Sequence, residues 1–291
     1  MPPDVPVRIV AAALAEISGR EAVAFAQAQF ASDVSTLEPG AWQWSAWLDA
    51  QGRVRHVFAL LMASPQQLLA WLPLGDAAAL AGELARFVLR SKVGIRTPPD
   101  WHVLLDTAAP PAPGVLADDS LSGAFALAAT PGTRIVLSPD ATAAVDDDGR
   151  ARETLLLAGI HAGLPWLDAP LAGEFVAAAL DLGRIGAASL GKGCYPGQEI
   201  VARLHYRGGN KRHLRHLVFP ASTTTRPGDA VLAGHGDAAT RCGRVLYAAT
   251  TADGIGHALA VIDEGGEADA ALTVAGGSQV STVRAFSTLA R

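Results

Sequence analysis

Cysteine is nearly absent from this chain: its 291 residues include two, Cys194 and Cys242, 48 positions apart. Thiols so few and so separated make neither a disulfide framework nor a CxxC metal site. They fit a reducing cytoplasm. Charge is scarce as well. Only 18% of the residues are charged and the net charge is −5, so the surface as a whole does not bind nucleic acid by bulk electrostatics. Long apolar runs are missing, and Val57 to Ala63 reads as a core segment rather than a membrane span. The start, Met1-Pro2-Pro3-Asp4, lacks the basic and apolar regions of a signal peptide. A soluble cytoplasmic protein is expected. Hydrophobic residues are plentiful, at half of the chain, enough for two or three domains with ample core.

Residues 19–30 read as a helix with Ala22, Phe25, Ala26 and Gln29 on one face. Trp42 to Leu48 and Val54 to Met62 flank the turn Asp49-Ala50-Gln51-Gly52 and predict a hairpin. Pro65 and Gln66 predict the start of a helix running past Leu72, and Ala77 to Val88 a second one. Trp101 to Asp106, Gly123 to Ala129 and Thr133 to Leu137 are strand-like, and Glu153 to Ala162 is helical. The alternation predicts an α+β arrangement with antiparallel sheet. A proline-rich stretch near 108–120 reads as a linker, which divides residues 1–110 from 121–210. The acidic run Asp146-Asp147-Asp148-Gly149 lacks the spaced ligands of a calcium loop and reads as a solvated turn. From about Leu214 short apolar strands alternate with turns such as Gly234-His235-Gly236-Asp237 and Gly276-Gly277. Residues 211–291 are therefore expected to form a small β-barrel or sandwich.

The chemistry concentrates at Lys192-Gly193-Cys194-Tyr195-Pro196-Gly197-Gln198-Glu199. Glycine and proline around Cys194 place the thiol on a loop rather than in a core. Positive charge favours the thiolate, the form that reacts, and Lys192 supplies a cation two residues away. Glu199 opposes it if its carboxylate lies close. Pro196-Gly197 suits a turn with glycine at a left-handed second position. Gln198 to Arg203 then begins a short helix. The plain alternative is a small packed cysteine, which is the expectation for Cys242.

Between Arg203 and His216 lie four arginines, one lysine and three histidines, with no acid. In residues 211–216 the pattern is that of a strand, with Leu214, Leu217 and Phe219 inward and Arg215 and His216 wet. Arg203 to Gly209 reads instead as a loop carrying cations, suited to carboxylate-rich or phosphate-bearing ligands. A Cys194–His205 dyad needs hydrogen-bond reach and an orienting group, which sequence does not supply.

Lys192 to Arg203, continuing into Leu204-His205-Tyr206-Arg207-Gly208, closely resembles the motif of the YgfZ family. Phe25-Ala26-Gln27-Ala28-Gln29 with Asp33-Val34, Ala46-Trp47-Leu48-Asp49, Leu89 to Val93 and Ala162 to Pro165 resemble further family segments. The resemblance implies two α+β subdomains and a C-terminal β-barrel in a T-protein-like ring around a central channel. It implies tetrahydrofolate or a derivative in that channel, with Gln29, Asp33, Arg203, Tyr206 and Arg207 as contacts. It also implies a role with iron–sulfur proteins or their assembly factors, including tRNA-thiolating radical enzymes, through Cys194 and Lys192. Gly193, Tyr195, Gly197, Gln198 and Glu199 complete the motif. Ala177, Ala178 and Asp181 stand where the family has a Pro-Gln pair and a following asparagine, a departure that implies a different folate affinity or specificity if Pro-Gln shapes the ligand channel.

Two other functions compete with the accessory factor. A folate-dependent aminomethyl transferase needs a carboxylate directed at the folate-bound carbon and does not need the thiol. An RNA-binding module would use the basic stretch, against the negative net charge and without interleaved stacking aromatics. Direct nucleic-acid binding and membrane association are not expected.

Overall fold

The computed structural model describes residues 7–106, 108–118, 123–130, 132–140, 145–146, 149–220, 223–234, 239–265, 272–274, 278–284 and 286. Met1 to Asp4, Asp147, Asp148, His235 to Asp237 and Gly276-Gly277 lie outside them, as does the end of the 108–120 linker. In chain order the elements are β1 (Val7–Ala11), β2 (Leu14–Ser18), α1 (Ala22–Gln29), a 3-10 turn (Val34–Thr36), β3 (Ala41–Leu48), β4 (Val54–Ser64) and β5 (Gln67–Trp71). Then come α2 (Ala77–Ala85), β6 (Gly94–Arg96), β7 (His102–Asp106), β8 (Ala117–Asp118), β9 (Phe125–Thr130), β10 (Thr133–Ser138) and β11 (Val145–Asp146). They are followed by α3 (Arg150–Ala162), a 3-10 turn (Ala169–Leu171) and α4 (Gln198–Arg207). The last strands are β12 (Arg212–Pro220), β13 (Ala230–Ala233), β14 (Thr240–Thr250), β15 (Ile255–Asp263), β16 (Leu272–Val274) and β17 (Ser278–Arg284).

Three sheets result. One has the order β3-β4-β5-β2-β6, a second β11-β1-β7-β10-β9-β8, and β12 to β17 close into a barrel. The chain crosses between the first two: β1 belongs to the second sheet although β2 to β6 build the first.

The first sheet is buried on both faces, so its strands read as nearly continuous apolar runs. Trp42, Trp44, Leu61 and Trp71 point to one side. Trp47, Phe58, Leu60 and Leu68 point to the other, where α1 and α2 cover them with Phe25, Leu80 and Leu84. This double burial explains why β5 looked helical. The run Leu68-Leu69-Ala70-Trp71 has no period to separate strand from helix. Instead of opening a helix, Pro65-Gln66 is the two-residue turn of a β4–β5 hairpin, with Met62 opposite Leu68. Residues 7–18, which carried no sequence assignment, form β1 and β2. The helix expected to reach Val88 ends at Ala85.

Trp42 and Trp44 face a core shared by all three sheets. It includes Val103 and Leu127 of the second sheet, Leu155 and Ile160 of α3, and Leu246, Tyr247 and Leu259 from the outside of the barrel. The barrel keeps an interior of its own, with Leu217, Phe219, Val245 and Ile262. Through the shared core runs an irregular segment from Leu164 to Tyr195. Trp166 stacks on Tyr247 at 5.5 Å, and the Tyr247 hydroxyl donates to the Leu164 carbonyl at 2.7 Å. Farther on, Val54 N donates to Phe175 O at 2.7 Å and Ser189 N to Ala31 O at 2.8 Å. The segment is thus tied to the first sheet just before the cysteine motif.

Candidate functional site

The motif is anchored on both sides of the thiol. On one side, Lys192 is buried. Its ammonium donates to the carbonyls of Gln27 at 2.6 Å, Phe30 at 2.6 Å and Ser32 at 2.9 Å. These use all three ammonium hydrogens. The first two acceptors lie at the C-terminal end of α1, where the helix dipole favours a cation. Burial pulls the Lys192 pKa down to about 8, and the nearby Asp33 carboxylate opposes the shift. On the other side, Tyr195 is buried, with its hydroxyl donating to Ser189 O at 3.0 Å. Burial pushes its pKa up to about 12. The Lys192 ammonium sits 5.1 Å from the Tyr195 ring centre, a cation–π distance.

Tyr195 O accepts from Gln198 N at 3.2 Å, and Gly197 has φ 79° and ψ 0°. Those values are the third position of a type II turn, as the Pro-Gly pair predicted. Gly197 also lies against the β3–β4 turn. A Cβ at Gly197 would stand 2.6 Å from both Asp49 O and Gly52 Cα, and a Cβ at Gly52 would stand 2.7 Å from the Ile200 Cβ. Two glycines therefore let the motif dock on the hairpin. Gly197→Ala combines a left-handed backbone with this backbone clash, and should cost more than about 2 kcal/mol. At Gly193, by contrast, an added Cβ meets nothing within 4 Å, so Gly193→Ala should change the denaturation midpoint little. Urea unfolding of the two variants makes the comparison; equal midpoints would contradict the docking role.

Between these anchors Cys194 is exposed. Cys242 is buried in the barrel, its sulfur 3.5 Å from Val231 O, as a packed cysteine should be. Gln198 Nε2 reaches Lys192 O at 3.5 Å, and Glu199 lies exposed in the first turn of α4.

The stretch Arg203 to Arg207 is not a loop. It continues α4, and only Gly208-Gly209 lies beyond the helix. The hydrophobic-polar pattern Ile200, Val201, Leu204 already carried a helical period that the run of cations obscured. Arg203, Tyr206 and Arg207 are exposed on α4. Among the described residues no carboxylate pairs with Arg203 or Arg207. His205 packs its ring on Tyr206, and among the described residues it makes no hydrogen bond to Cys194. It stands seven residues into α4, about 10 Å along the axis from the helix start.

Asp33 joins the Lys192 anchor. Its carboxylate accepts from Ser35 Oγ at 2.6 Å and from Gln27 Nε2 at 3.0 Å. The Ser35 hydroxyl chiefly, then Gln27 and the Lys192 charge, hold its pKa below the usual value, against burial. Gln27, not singled out from the sequence, also accepts from Val34 N at 2.7 Å. It thus ties helix, Asp33 and Lys192 together. Gln29 presents a different chemistry: its side-chain carbonyl oxygen is buried and has no hydrogen-bond partner among the described residues.

No protein-family model matches the chain. A Klebsiella pneumoniae (strain 342) protein named tRNA-modifying protein YgfZ is 34% identical over 272 residues, covering 83% of this chain and 80% of its own. The chain belongs to the YgfZ family. A YgfZ protein of Shigella sonnei (strain Ss046) is 32% identical over 264 residues, with 83% and 80% covered. The fold matches glycine cleavage system aminomethyltransferase T from Bartonella henselae with a TM-score of 0.70 at 14% identity, over 96% of this chain and 84% of that one. The T-protein-like architecture with its closed C-terminal barrel is thereby confirmed. Asp181 has φ 52°. Asparagine and aspartate are the residues that best tolerate this left-handed backbone. Among the described residues no helix is long and apolar enough to cross a membrane.

Proposed function

We propose that this YgfZ-family protein binds a reduced folate and serves iron–sulfur proteins, including tRNA-thiolating radical enzymes, through the Cys194 thiol. One observation carries the reading: the exposed thiol is held between two buried anchors, Lys192 and Tyr195. Such a loop offers its sulfur to a partner without ordering cost, since its neighbours are already fixed. The sulfur serves as nucleophile or ligand toward a cluster, a persulfide or a partner cysteine.

For the folate, Gln29 supplies a buried acceptor without a partner, suited to the N–H groups of a pterin. Arg203 and Arg207 stand four residues apart on one side of α4 and suit the carboxylates of a glutamate tail. The folate would bring one-carbon chemistry and an aromatic pterin; the protein's part is to bind and orient it. The aminomethyl transferase reading rests on the fold neighbour, and the fold alone does not carry that chemistry. Asp33, a carboxylate beside the motif, is already engaged by Gln27 and Ser35.

Titration calorimetry tests the folate. Tetrahydrofolate should bind, and its polyglutamates should bind severalfold more tightly at low salt, because exposed ion pairs contribute roughly 0.2–1 kcal/mol each. The advantage should vanish in an Arg203→Ala/Arg207→Ala variant. Absence of binding by either form would remove the folate from the proposal. Folate-dependent aminomethyl transfer that survives loss of Cys194 would favour the transferase instead.

A further inference from the structure

Away from the cysteine motif, three histidines from three elements converge where α3 meets the barrel. His161 lies on the last turn of α3, His216 on β12 and His257 on β15. Their convergence follows from the strand register. His216 pairs with Leu259, and His257 pairs with Val218, so the two histidines are diagonal neighbours on one face. Leu217 and Phe219 alternate with them and fill the barrel interior. The histidine face is therefore the outer one, covered by α3. His216, expected to stay wet, is buried there with 4% exposure. This burial is a tertiary effect, because a strand on the outside of an isolated barrel would leave it in water.

The geometry is tight. His216 Nε2 and His257 Nδ1 are 2.8 Å apart. The His161 ring stands 5.3 Å from each of the other two rings, at 64° and 85° to them. A nitrogen from each residue falls within 4.8 Å of the other two. Two imidazole nitrogens bound to one tetrahedral zinc at about 2.1 Å stand about 3.4 Å apart. Small side-chain rotations therefore convert this cluster into a coordination shell. His161 is exposed while His216 is buried, so the shell is closed from below and open on one side.

The C-terminal end of α3 favours positive charge, although Arg184 already occupies the carbonyls of Ala162 and Gly163. Asp181 offsets that guanidinium at 2.9 Å. Imidazole donors suit zinc, copper, nickel and iron.

We propose that His161, His216 and His257 bind one divalent transition-metal ion of the zinc class, clamped between α3 and the barrel, with a coordination position open to solvent beside His161. The ion would fasten the barrel to the α+β region, since a ligand that binds only the folded arrangement stabilises it. This site is independent of the folate and thiol chemistry.

The test uses the tag-free full-length protein, stripped with a chelator and titrated with cobalt(II). The expected result is one equivalent bound, with the visible bands of a four-coordinate site of three imidazole nitrogens and one water, and no thiolate-to-metal band in the near ultraviolet. His161→Ala removes an exposed side chain and should leave the fold intact. It should weaken binding by more than the roughly 10–100-fold that losing a partner around a metal ligand costs. His257→Gln should do the same, and His205→Ala, on the exposed face of α4, should leave binding unchanged. Absence of the visible bands, a thiolate band from Cys194, or undiminished binding by both His161→Ala and His257→Gln would overturn the site.

Discussion

Replacing Cys194 by alanine should abolish rescue of an iron–sulfur enzyme in a deletion strain while leaving the protein folded. The thiol is exposed and makes no packing contribution that its anchors do not already make. An exposed substitution of this kind falls within about 0.5 kcal/mol of neutral. Lys192 and Tyr195 hold the loop through contacts that the change does not touch. Loss of function with an unchanged melting temperature would therefore report on the sulfur itself. The measurement is the activity of a tRNA-thiolating radical enzyme in the deletion strain, complemented with wild type, Cys194→Ala or Cys194→Ser. Full rescue by the alanine variant would sink the proposed role of the thiol, and the motif would then be a docking loop for a partner.

Lys192→Met should produce the largest stability loss among single changes in the motif. It keeps most of the side-chain volume and removes the donor from three carbonyls. A buried unsatisfied acceptor costs about 1–3 kcal/mol. Water entering from the loop side relieves part of this, so about 2–4 kcal/mol is expected in urea unfolding. Lys192→Arg should not restore it, because a planar guanidinium does not fit a cradle shaped for a compact ammonium. The pH dependence has a definite sign. Burial lowers the folded pKa from 10.5 to about 8. Between those values the unfolded chain holds more protons, so this group's contribution to stability rises with pH. The gap between wild type and Lys192→Met should widen from pH 7 to pH 10. A gap that narrows would mean that the three carbonyl bonds outweigh desolvation and hold the lysine charged. A variant as stable as wild type would refute the anchor altogether.

The motif's local geometry is written in its own residues. Pro196-Gly197 specifies a type II turn, because proline fixes one φ and glycine alone takes the next without strain. The barrel strands were equally legible. Their alternation and punctuation depend on neighbours two residues away, and the small barrel expected there forms from β12 to β17. Double burial is where local pattern stopped informing. In β5 both faces are covered, the period disappears, and a strand resembles a helix. In α4 the density of cations hid a helical period.

Tertiary structure alone decided the partners. Lys192 meets carbonyls more than 150 residues earlier in the chain, and backbone acceptors leave no mark in side-chain sequence. The same holds for the approach of Gly197 to Gly52, which only the docking of loop on hairpin requires. The crossing of β1 and β2 into different sheets set which faces share a core. His161, His216 and His257 are unrelated in sequence spacing and meet because the β12–β15 register puts His216 and His257 on one face and the seat of α3 brings the exposed His161 to it. Sequence determined which residue types were available and how each short segment bends. Long-range packing decided which of them touch, because contact energies depend on distances that no local periodicity encodes.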